Sequence, residues 1–358
     1  MTAGHARERA RSLVLAHGWN ATAYQVLNPG IEHWFSARGD AVVGYVRHAG
    51  VRVVAGAPVA AEVRLAEVVA EFERAAIEAA ESVCYFGAEG RLERVLAGSP
   101  RHAFVLLGAQ PSWNPEEWHE RTRRHASLRG QFARARRKGV RVAEEDPAVA
   151  ERDPALAACL ARWLRTRGLP PLHFLIEPDT LGNLADRRIF VARRGADTTG
   201  FIVVSRIPAR RGWLIEQFVR SPEAPNGTME LLIDSAMRAL ASEGARYVSL
   251  GLAPLAHDRI PPDDRDAPPL WLRALLGWMR AHGRRFYNFR GLEAFKAKFD
   301  PSSWEPIFAI SNEPKISPRV VYAITSAFTG GAPFRTLALG LAGAAGRELR
   351  RDAGPTQA

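Results

Sequence analysis

The residues best suited to chemistry lie on one predicted strand and in the tight turn that follows it. Glu216 and Arg220 place a carboxylate and a guanidinium on the strand, and Asn226-Gly227-Thr228 forms the turn and the start of a helix. A turn that delivers backbone N–H groups to a helix N-terminus favours an anionic ligand. The segment is therefore a candidate acyl-transfer or phosphate site, although an Asn-Gly turn alone is weak evidence because most such turns only reverse the chain.

The side chains of Glu216 and Arg220 are expected to share one face of the strand, because they are four residues apart and side chains alternate with a period of two. Glu216 is then placed to accept a proton or to recognise an ammonium, and Arg220 to bind a phosphate with its bidentate fork. A plain ion pair between the two explains the spacing equally well. Asn226 and Gly227 are expected to shape the turn rather than to react.

Two lysines, Lys296 and Lys298, lie between the aromatic residues Phe295 and Phe299. If the segment is extended, the lysines share a face and form a cationic pair for a phosphate, whereas in a helix they diverge. Surface lysines without a special role are the alternative.

A strongly basic helix is predicted after Pro115 and is expected to end at Gly139. Its apolar side is predicted to consist of Trp118, His125, Leu128, Phe132 and Ala135. The other side carries many cations with little acidic compensation, which favours a polyanion alongside it over a solvated face. The candidate RNA-binding residues are Arg129, Arg134, Arg136, Arg137 and Lys138.

The whole chain has 358 residues, 47% of them apolar, and a formal charge of +11. This length suffices for two domains with a core in each. The charge favours nucleic acid, an anionic membrane or phosphorylated ligands, although an arginine-rich genome accounts for part of it. Cys84 and Cys159 form no metal-binding pattern and fit a reducing cytoplasm. No apolar run reaches the roughly 18 residues of a spanning helix, so we expect a soluble or peripheral protein.

The order of the predicted elements indicates an α+β protein. The second half reads as a helix, three antiparallel strands, the turn, a helix, a strand, a helix and a last strand near 307–310. This order resembles a GNAT acyltransferase domain, whose acyl donor binds where two central strands splay apart beside the turn. Because the first half has a looser version of the order, we expect two tandem GNAT-like domains with mainly antiparallel central sheets. The predicted division is an N-terminal GNAT-like domain (11–112), a basic connecting helix (113–150), a catalytic GNAT-like domain (151–312) and an amphipathic tail (313–358).

Several segments in series carry a more specific likeness. They are 36–45, 56–58 and 133–139 in the first half, and 224–230, 250–255, 282–292, 295–299 and 304–306 in the second. Across 20–310 they resemble the C-terminal catalytic region of bacterial phosphatidylglycerol lysyltransferases and alanyltransferases. Members of that family transfer an amino acid from aminoacyl-tRNA to a lipid hydroxyl.

The resemblance implies functional roles for particular residues here. The catalytic candidates are Glu216, Arg220, Lys296 and Lys298, and the substrate-binding candidates are Asn226, Gly227, Thr228, Arg285, Tyr287 and Asn288. The implied partners are aminoacyl-tRNA and an anionic phospholipid or membrane surface, with phosphatidylglycerol as the acceptor. Exchange of one ester for another requires neither a redox cofactor nor a metal, and we expect none.

Two features depart from the family pattern. Members commonly carry an N-terminal multi-span flippase, whereas we expect a stand-alone form here. Members also tend to have an Asp three residues before an Arg on the strand that leads to the turn. Here the carboxylate is Glu216, and the nearest arginine, Arg220, follows four residues later.

Two other functions fit the same features. One is an acyl-CoA-dependent GNAT N-acyltransferase, which is disfavoured because only Gly227 marks a turn that is usually richer in glycine. The other is a non-catalytic module that binds RNA or membrane. The apolar segments of the tail end in Arg347, Arg350 and Arg351. The tail is expected either to rest in the headgroup region at the inner face of the membrane or to dock on the protein.

Overall fold

A computed structural model describes residues 3–166, 172–177, 179, 181–260, 269–274 and 289–331. The first part of the chain forms α1 (Ala3–His17), β1 (Glu32–Phe35), β2 (Val42–His48), β3 (Val51–Ala55), α2 (Leu65–Glu78), β4 (Ser82–Ala88), α3 (Gly90–Leu96) and β5 (Ala103–Trp113). The basic segment forms α4 (Trp118–Arg124) and α5 (Ala126–Arg137). The second part forms β6 (Val140–Glu145), α6 (Pro147–Ala150), α7 (Pro154–Arg165), β7 (Arg188–Arg194), β8 (Asp197–Ile207), β9 (Gly212–Arg220), α8 (Thr228–Ser242), β10 (Tyr247–Ser249), β11 (Ala253–Pro254), α9 (Phe289–Ala297), β12 (Ser303–Ser311) and α10 (Pro318–Phe328).

All twelve strands of the described residues belong to one sheet. Their order is β1-β2-β3-β4-β12-β5-β10-β9-β8-β7-β6, and β11 pairs with β5. The pairs β3–β4 and β9–β10 are parallel and the other pairs are antiparallel. The α+β class with a mainly antiparallel sheet, expected from the sequence, is confirmed.

Strand β12 crosses from the second part of the chain into the sheet of the first part. It pairs with β5 along its whole length and with β4 over its second half. Since β5 also pairs with β10, the sheet runs without interruption through both parts of the chain. The predicted division between 112 and 113 falls at the end of β5, and the domain boundaries stay a prediction.

The basic segment forms two helices instead of the single helix that its spacing predicts. Between α4 and α5 the backbone of His125 is extended, with φ −100° and ψ 91°. Its ring nitrogen lies 2.9 Å from Asp300 Oδ2, to which Arg121 Nη1 also donates at 3.0 Å. This contact comes from a remote segment, so helical periodicity could not reveal it. Four of the five predicted stripe residues are buried, namely Trp118, Leu128, Phe132 and Ala135.

The spacing of apolar residues over 228–242 predicts a helix with one inner face, and α8 has this face. All six residues of this predicted face are buried, namely Met229, Leu232, Ile233, Ala236, Met237 and Leu240. The helix begins after Gly227, whose φ of +93° is left-handed. A Cβ at this position would clash with the backbone carbonyl of Gln131 in α5. Glycine is therefore needed both for the turn and for the close approach of α5.

The first part of the tail packs on the protein. Helix α10 buries Val320, Ala323 and Ala327, and the ring of Phe328 lies 5.1 Å from Phe86 and 5.4 Å from Phe174. Residues 332–358, which include the rest of the predicted tail, lie outside the described residues. In the part of the chain that the structure describes, no helix is both long and apolar enough to cross a bilayer.

Gly227→Ala is expected to destabilise the protein more than Gly244→Ala at the other end of α8. Both glycines have a positive φ, so each alanine costs about 1–2 kcal/mol in backbone strain. At Gly227 the new methyl group also meets backbone, whereas nothing lies within 4 Å of it at Gly244. Forced repacking adds about 1–3 kcal/mol. Urea unfolding measures both variants, and equal losses would contradict the close approach of α5.

Candidate functional site

Strands β9 and β10 separate after a short parallel pairing. β10 pairs with residues 212–214 only, whereas β9 continues to Arg220. After Ser249 the chain turns away, and β11 pairs with β5 instead. The other parallel pair, β3–β4, stays together over the whole of β3. Of the two parallel pairs, only β9–β10 opens into a gap, and this gap lies beside the Asn-Gly turn.

Helix α9 lies against this gap through its aromatic residues. The ring of Phe295 packs edge to face on Phe218 of β9, with centroids 6.1 Å apart. Phe299, directly after the helix, lies 5.3 Å from Phe295 and is fully buried. The predicted aromatic frame of the two lysines is thus a hydrophobic contact that positions α9.

Lys296 points into the protein from α9. Its side chain is buried, and Nζ donates to the carbonyl oxygens of Gly251 at 2.7 Å and Leu252 at 2.8 Å. These carbonyls belong to the segment where the chain leaves β10. Desolvation lowers the pKa of the Lys296 ammonium to about 7. A neutral amine is therefore accessible near neutral pH, which makes Lys296 a candidate proton acceptor.

Lys298 has a different environment. Its Nζ lies 2.5 Å from Glu230 Oε1 in the first turn of α8, and it also lies over the rings of Phe295 and Phe299. Because the segment is helical up to Ala297, the two lysines diverge, as predicted for the helical case. They form no joint cationic pair, and Lys298 instead ties α9 to α8.

Arg220 and the turn residues hold one another. Arg220 Nη2 donates to the carbonyl of Ala224 at 2.8 Å and to Asn226 Oδ1 at 3.3 Å. The hydroxyl of Thr228, which is fully buried, donates to the carbonyl of Pro225 at 2.7 Å. Asn226, Gly227 and Thr228 therefore shape the turn, and the half-buried guanidinium of Arg220 lies at its mouth. Substrate contacts by these residues stay a prediction.

Strand β9 is irregular at Glu216. Val203 of β8 pairs with Gln217 and Val204 pairs with Ile215, so Glu216 has no partner in the register. A bulge of this kind interrupts the alternation of side chains. Ile215 and Phe218, three residues apart, accordingly pack into the same core. The shared face predicted for Glu216 and Arg220 is wrong, because the bulge lies between them.

The carboxylate of Glu216 is held by two residues from other segments. Gln25 Nε2 donates to it at 2.5 Å and Arg187 Nε at 2.7 Å. The Arg187 side chain is only 2% exposed, and its guanidinium lies 4.8 Å from the ring centre of Tyr24. The buried ion pair with Arg187 joins β9 to the residue before β7, and the hydrogen bond from Gln25 joins β9 to the N-terminal region. The predicted alternative of an ion pair with Arg220 is not formed, and the catalytic role of Glu216 stays a prediction.

Three substrate-binding candidates, Arg285, Tyr287 and Asn288, lie outside the described residues. The five candidate RNA-binding residues lie on α5 or directly after it, and all are exposed. Arg129 Nη1 donates to the carbonyls of Thr122 and Arg123 at the end of α4, and Arg136 Nη2 lies 3.3 Å from Asp234 Oδ2. Within the described residues, no ion pair involves Arg134, Arg137 or Lys138.

A buried ionic network where β5, β10 and β12 meet was missed by the sequence reasoning. Arg210 donates to Glu305 at 2.8 and 3.0 Å and to Glu89 at 3.2 Å, and its guanidinium lies over the ring of Tyr247. Burial raises the pKa of Glu89 to about 7, although the charge of Arg210 opposes this shift. These residues come from four distant segments, so no spacing marks them. Glu305 alone belongs to a segment that carried the resemblance.

Arg187 and Glu230 were missed as well. The first holds Glu216 and the second holds Lys298, but neither forms a motif with its partner along the sequence.

The described residues contain no group of three or more His, Cys, Asp or Glu that could hold a metal ion. The gap therefore offers a depressed-pKa lysine, a guanidinium and backbone dipoles, which are groups that can move a proton and bind an anion.

Comparison with known proteins identifies a family and a fold to which the chain is similar. A family model described as "Phosphatidylglycerol lysyltransferase, C-terminal" matches residues 11–311. The fold is similar to the C-terminal domain assigned to a lysylphosphatidylglycerol synthetase of Agrobacterium fabrum, with 24% identity, a TM-score of 0.78 and coverage of 92% of this chain and 99% of that one. It is also similar to L-PGS from Bacillus licheniformis, with 20% identity, a TM-score of 0.74 and coverage of 89% and 95%. A comparison with curated proteins finds no match. The GNAT-like α+β fold expected from the sequence is confirmed, and an arrangement of two tandem domains is consistent with it.

Glu216→Leu is expected to destabilise the protein by about 3–5 kcal/mol, because it leaves the buried Arg187 unpaired. The double variant Glu216→Leu/Arg187→Met should recover most of this loss, since it removes both charges. Glu32→Leu is the control, because Glu32 pairs with Arg47 at the surface and such pairs contribute about 1 kcal/mol or less. Urea unfolding compares the three variants, and a double variant no more stable than Glu216→Leu would show that the ion pair is not the main interaction.

Lys296→Met is expected to change the pH dependence of stability. The pKa of Lys296 is 10.5 in the unfolded chain and about 7 in the folded one. Between these values the unfolded chain binds a proton that the folded protein does not, so the free energy of unfolding of the wild type rises with pH. The methionine variant lacks this rise. The difference in free energy of unfolding between the variant and the wild type should therefore change by a few kcal/mol from pH 7 to pH 10, in favour of the wild type.

Urea unfolding at several pH values measures this difference. Lys315→Met is the control, since Lys315 is exposed and its replacement removes no buried amine. A difference between Lys296→Met and the wild type that stays constant from pH 6 to pH 10 would contradict a depressed pKa.

Proposed function

The chain belongs to the phosphatidylglycerol lysyltransferase C-terminal family, and on that premise we propose that it transfers an amino acid from aminoacyl-tRNA to a hydroxyl group of phosphatidylglycerol. Family membership and fold support a lipid aminoacyltransferase. The family description supports phosphatidylglycerol as the acceptor, and the exposed cations of the basic helix α5 support RNA as the donor.

The observation that carries the proposal is the buried Lys296 beside the gap between β9 and β10. In the proposed reaction the lipid hydroxyl attacks the carbonyl carbon of the aminoacyl ester. The bond between the lipid oxygen and this carbon forms, and the bond from the carbon to the ribose oxygen of the tRNA breaks. Neutral Lys296 takes the proton of the lipid hydroxyl and returns it to the departing ribose oxygen. No electrons are exchanged with a cofactor.

Arg220 is proposed to bind the phosphate of one substrate at the mouth of the turn. Its Nη2 is held by the turn residues, which orients the planar guanidinium, and an oriented fork suits a phosphate. Glu216 supports the same strand from the other face through Arg187. We therefore assign Glu216 a positioning role in the proposed mechanism and leave proton transfer to Lys296.

The cations of α5 support RNA as the donor. Arg134, Arg137 and Lys138 are exposed, and none has a carboxylate partner among the described residues. Uncompensated cations on one helix repel one another, and a polyanion alongside the helix would relieve this repulsion. α5 also packs against Gly227 of the turn, so an RNA bound along this helix would lie next to the gap.

Coenzyme A as acyl donor is disfavoured by the same contact. In a GNAT-like fold the turn before α8 would have to bind the pyrophosphate with its backbone N–H groups. Here the backbone of α5 lies against the only glycine of that turn. This close contact restricts the space beside the turn in which a pyrophosphate would have to lie.

Purified protein is expected to move a labelled amino acid from charged tRNA into the chloroform-soluble fraction when phosphatidylglycerol vesicles are present. Ribonuclease treatment should abolish the transfer, and Lys296→Met should reduce its rate by about 100-fold or more, because positioned proton transfer contributes 10²–10⁴-fold. Lys315→Met, at an exposed lysine, should retain wild-type activity. No labelled lipid with any charged tRNA would refute the proposal.

A further inference from the structure

A small cationic pocket lies between α4, α5 and α8, on the outer side of the helices that cover the sheet. Its volume is about 200 Å³. The residues that line it are His119, Thr122, Arg123, Arg129, Phe132, Arg136 and Arg238. Pockets that enclose a whole drug-sized ligand begin at about 300 Å³. The size therefore suits a single small group rather than an entire cofactor.

A fully buried carboxylate orients two arginines of this pocket. Asp234 of α8 accepts from Arg238 Nε at 2.9 Å, from Arg136 Nη2 at 3.3 Å and from Trp118 Nε1 at 3.0 Å. Arg238 Nη1 also lies 3.3 Å from the ring nitrogen of His119. These contacts tie both guanidinium groups to the pocket, so less side-chain freedom is lost when a ligand binds.

The charges around the pocket do not balance. Four arginines line it, whereas the carboxylates paired with them are Asp234 and Glu120. A surplus of two positive charges remains, because four cations face two anions. Arg129 donates only to backbone carbonyls of α4 among the described residues. Such a surplus in a confined space fits a phosphate group, which several arginines can bind at once.

Two features favour the phosphate of an RNA chain over that of a lipid. First, Arg129 and Arg136 are seven residues apart on α5, so they share a side of the helix whose remaining surface carries Arg134, Arg137 and Lys138. A polyanion can contact the pocket and this surface together. Second, the large exposed apolar side chains among the described residues lie outside α4, α5 and α8. Apolar side chains that enter the bilayer surface strengthen binding to a lipid membrane, and these three helices expose no large ones among the described residues.

We propose that this pocket binds one backbone phosphate of the RNA donor, with Arg123, Arg238 and His119 as contacts in addition to the α5 residues. The inference rests on the proposed function, because it takes tRNA as the substrate. It adds residues of α4 and α8 to the RNA-binding surface and fixes where the RNA backbone crosses these helices.

Fluorescence anisotropy with labelled, uncharged tRNA at several KCl concentrations tests the pocket. Arg123→Ala is the main variant, since the Arg123 side chain is 70% exposed and its removal should not disturb folding. Affinity is expected to fall about tenfold, and the slope of log affinity against log salt should become shallower by about one, as for one lost phosphate contact. Arg94→Ala, at an exposed arginine of α3, is the control and should change neither value.

A second variant and a second ligand separate the possible outcomes. Arg123→Glu, also at this exposed position, should weaken tRNA binding further and leave the melting temperature within about 2 °C, roughly what a surface substitution allows. Phosphatidylglycerol vesicles provide the lipid arm, and a loss of vesicle binding without a loss of tRNA binding would overturn the assignment to RNA. Unchanged tRNA affinity in both variants would overturn the assignment of the pocket as a phosphate site. The proposed function would still stand in that case if the wild type transferred the amino acid to lipid. Failure of the wild type both to bind tRNA and to transfer would refute both.

Discussion

The insertion of β12 between β4 and β5 is the constraint on which the candidate site depends. Only residues 298–302 separate α9 from β12, and Ser303 pairs with Ser112 of β5, the residue that also pairs with Ser249 of β10. α9 therefore starts its short connection beside the end of β10. Asp300, within the connection, is held by Arg121 and His125. The level at which β12 enters the sheet thus places Lys296 within reach of the carbonyls of Gly251 and Leu252.

The charged side chains near the gap are of two kinds, those paired with an opposite charge and those held only by neutral groups. Glu216 and Lys298 have partners within the protein, Arg187 and Glu230, and such pairs fix the positions of β9 and α9. Lys296 has only carbonyl oxygens as its described partners, so desolvation controls its pKa. A buried group with a strongly shifted pKa beside an opening in the sheet is a common property of functional sites. The same burial weakens the fold, as is usual where stability and activity compete.

Most local structure followed from the sequence, and the site geometry did not. The inner face of α8, the strands β7–β9 and the basic character of α5 were predicted from periodicity and composition. The break between α4 and α5 at His125 was not predicted, because it accompanies a contact with Asp300, 175 residues away in the sequence. The bulge at Glu216 was not predicted either, because the alternation of side chains along a strand assumes that no extra residue is inserted. The predicted domain boundaries remain a prediction, since the sheet runs through both parts of the chain.

The sequence by itself determined the fold class, the family likeness and the residue types available for chemistry, because these depend on local propensity and on ordered motifs. Only the tertiary structure decided which of those residues act together. Glu216 and Arg220 are four residues apart on one strand, but the bulge at Glu216 keeps them from sharing one face. Lys296, in contrast, contacts the carbonyls of Gly251 and Leu252, which lie 45 and 44 residues earlier in the chain. Burial and partner choice set the charge state of a side chain, and both depend on contacts between segments that no spacing along the chain records.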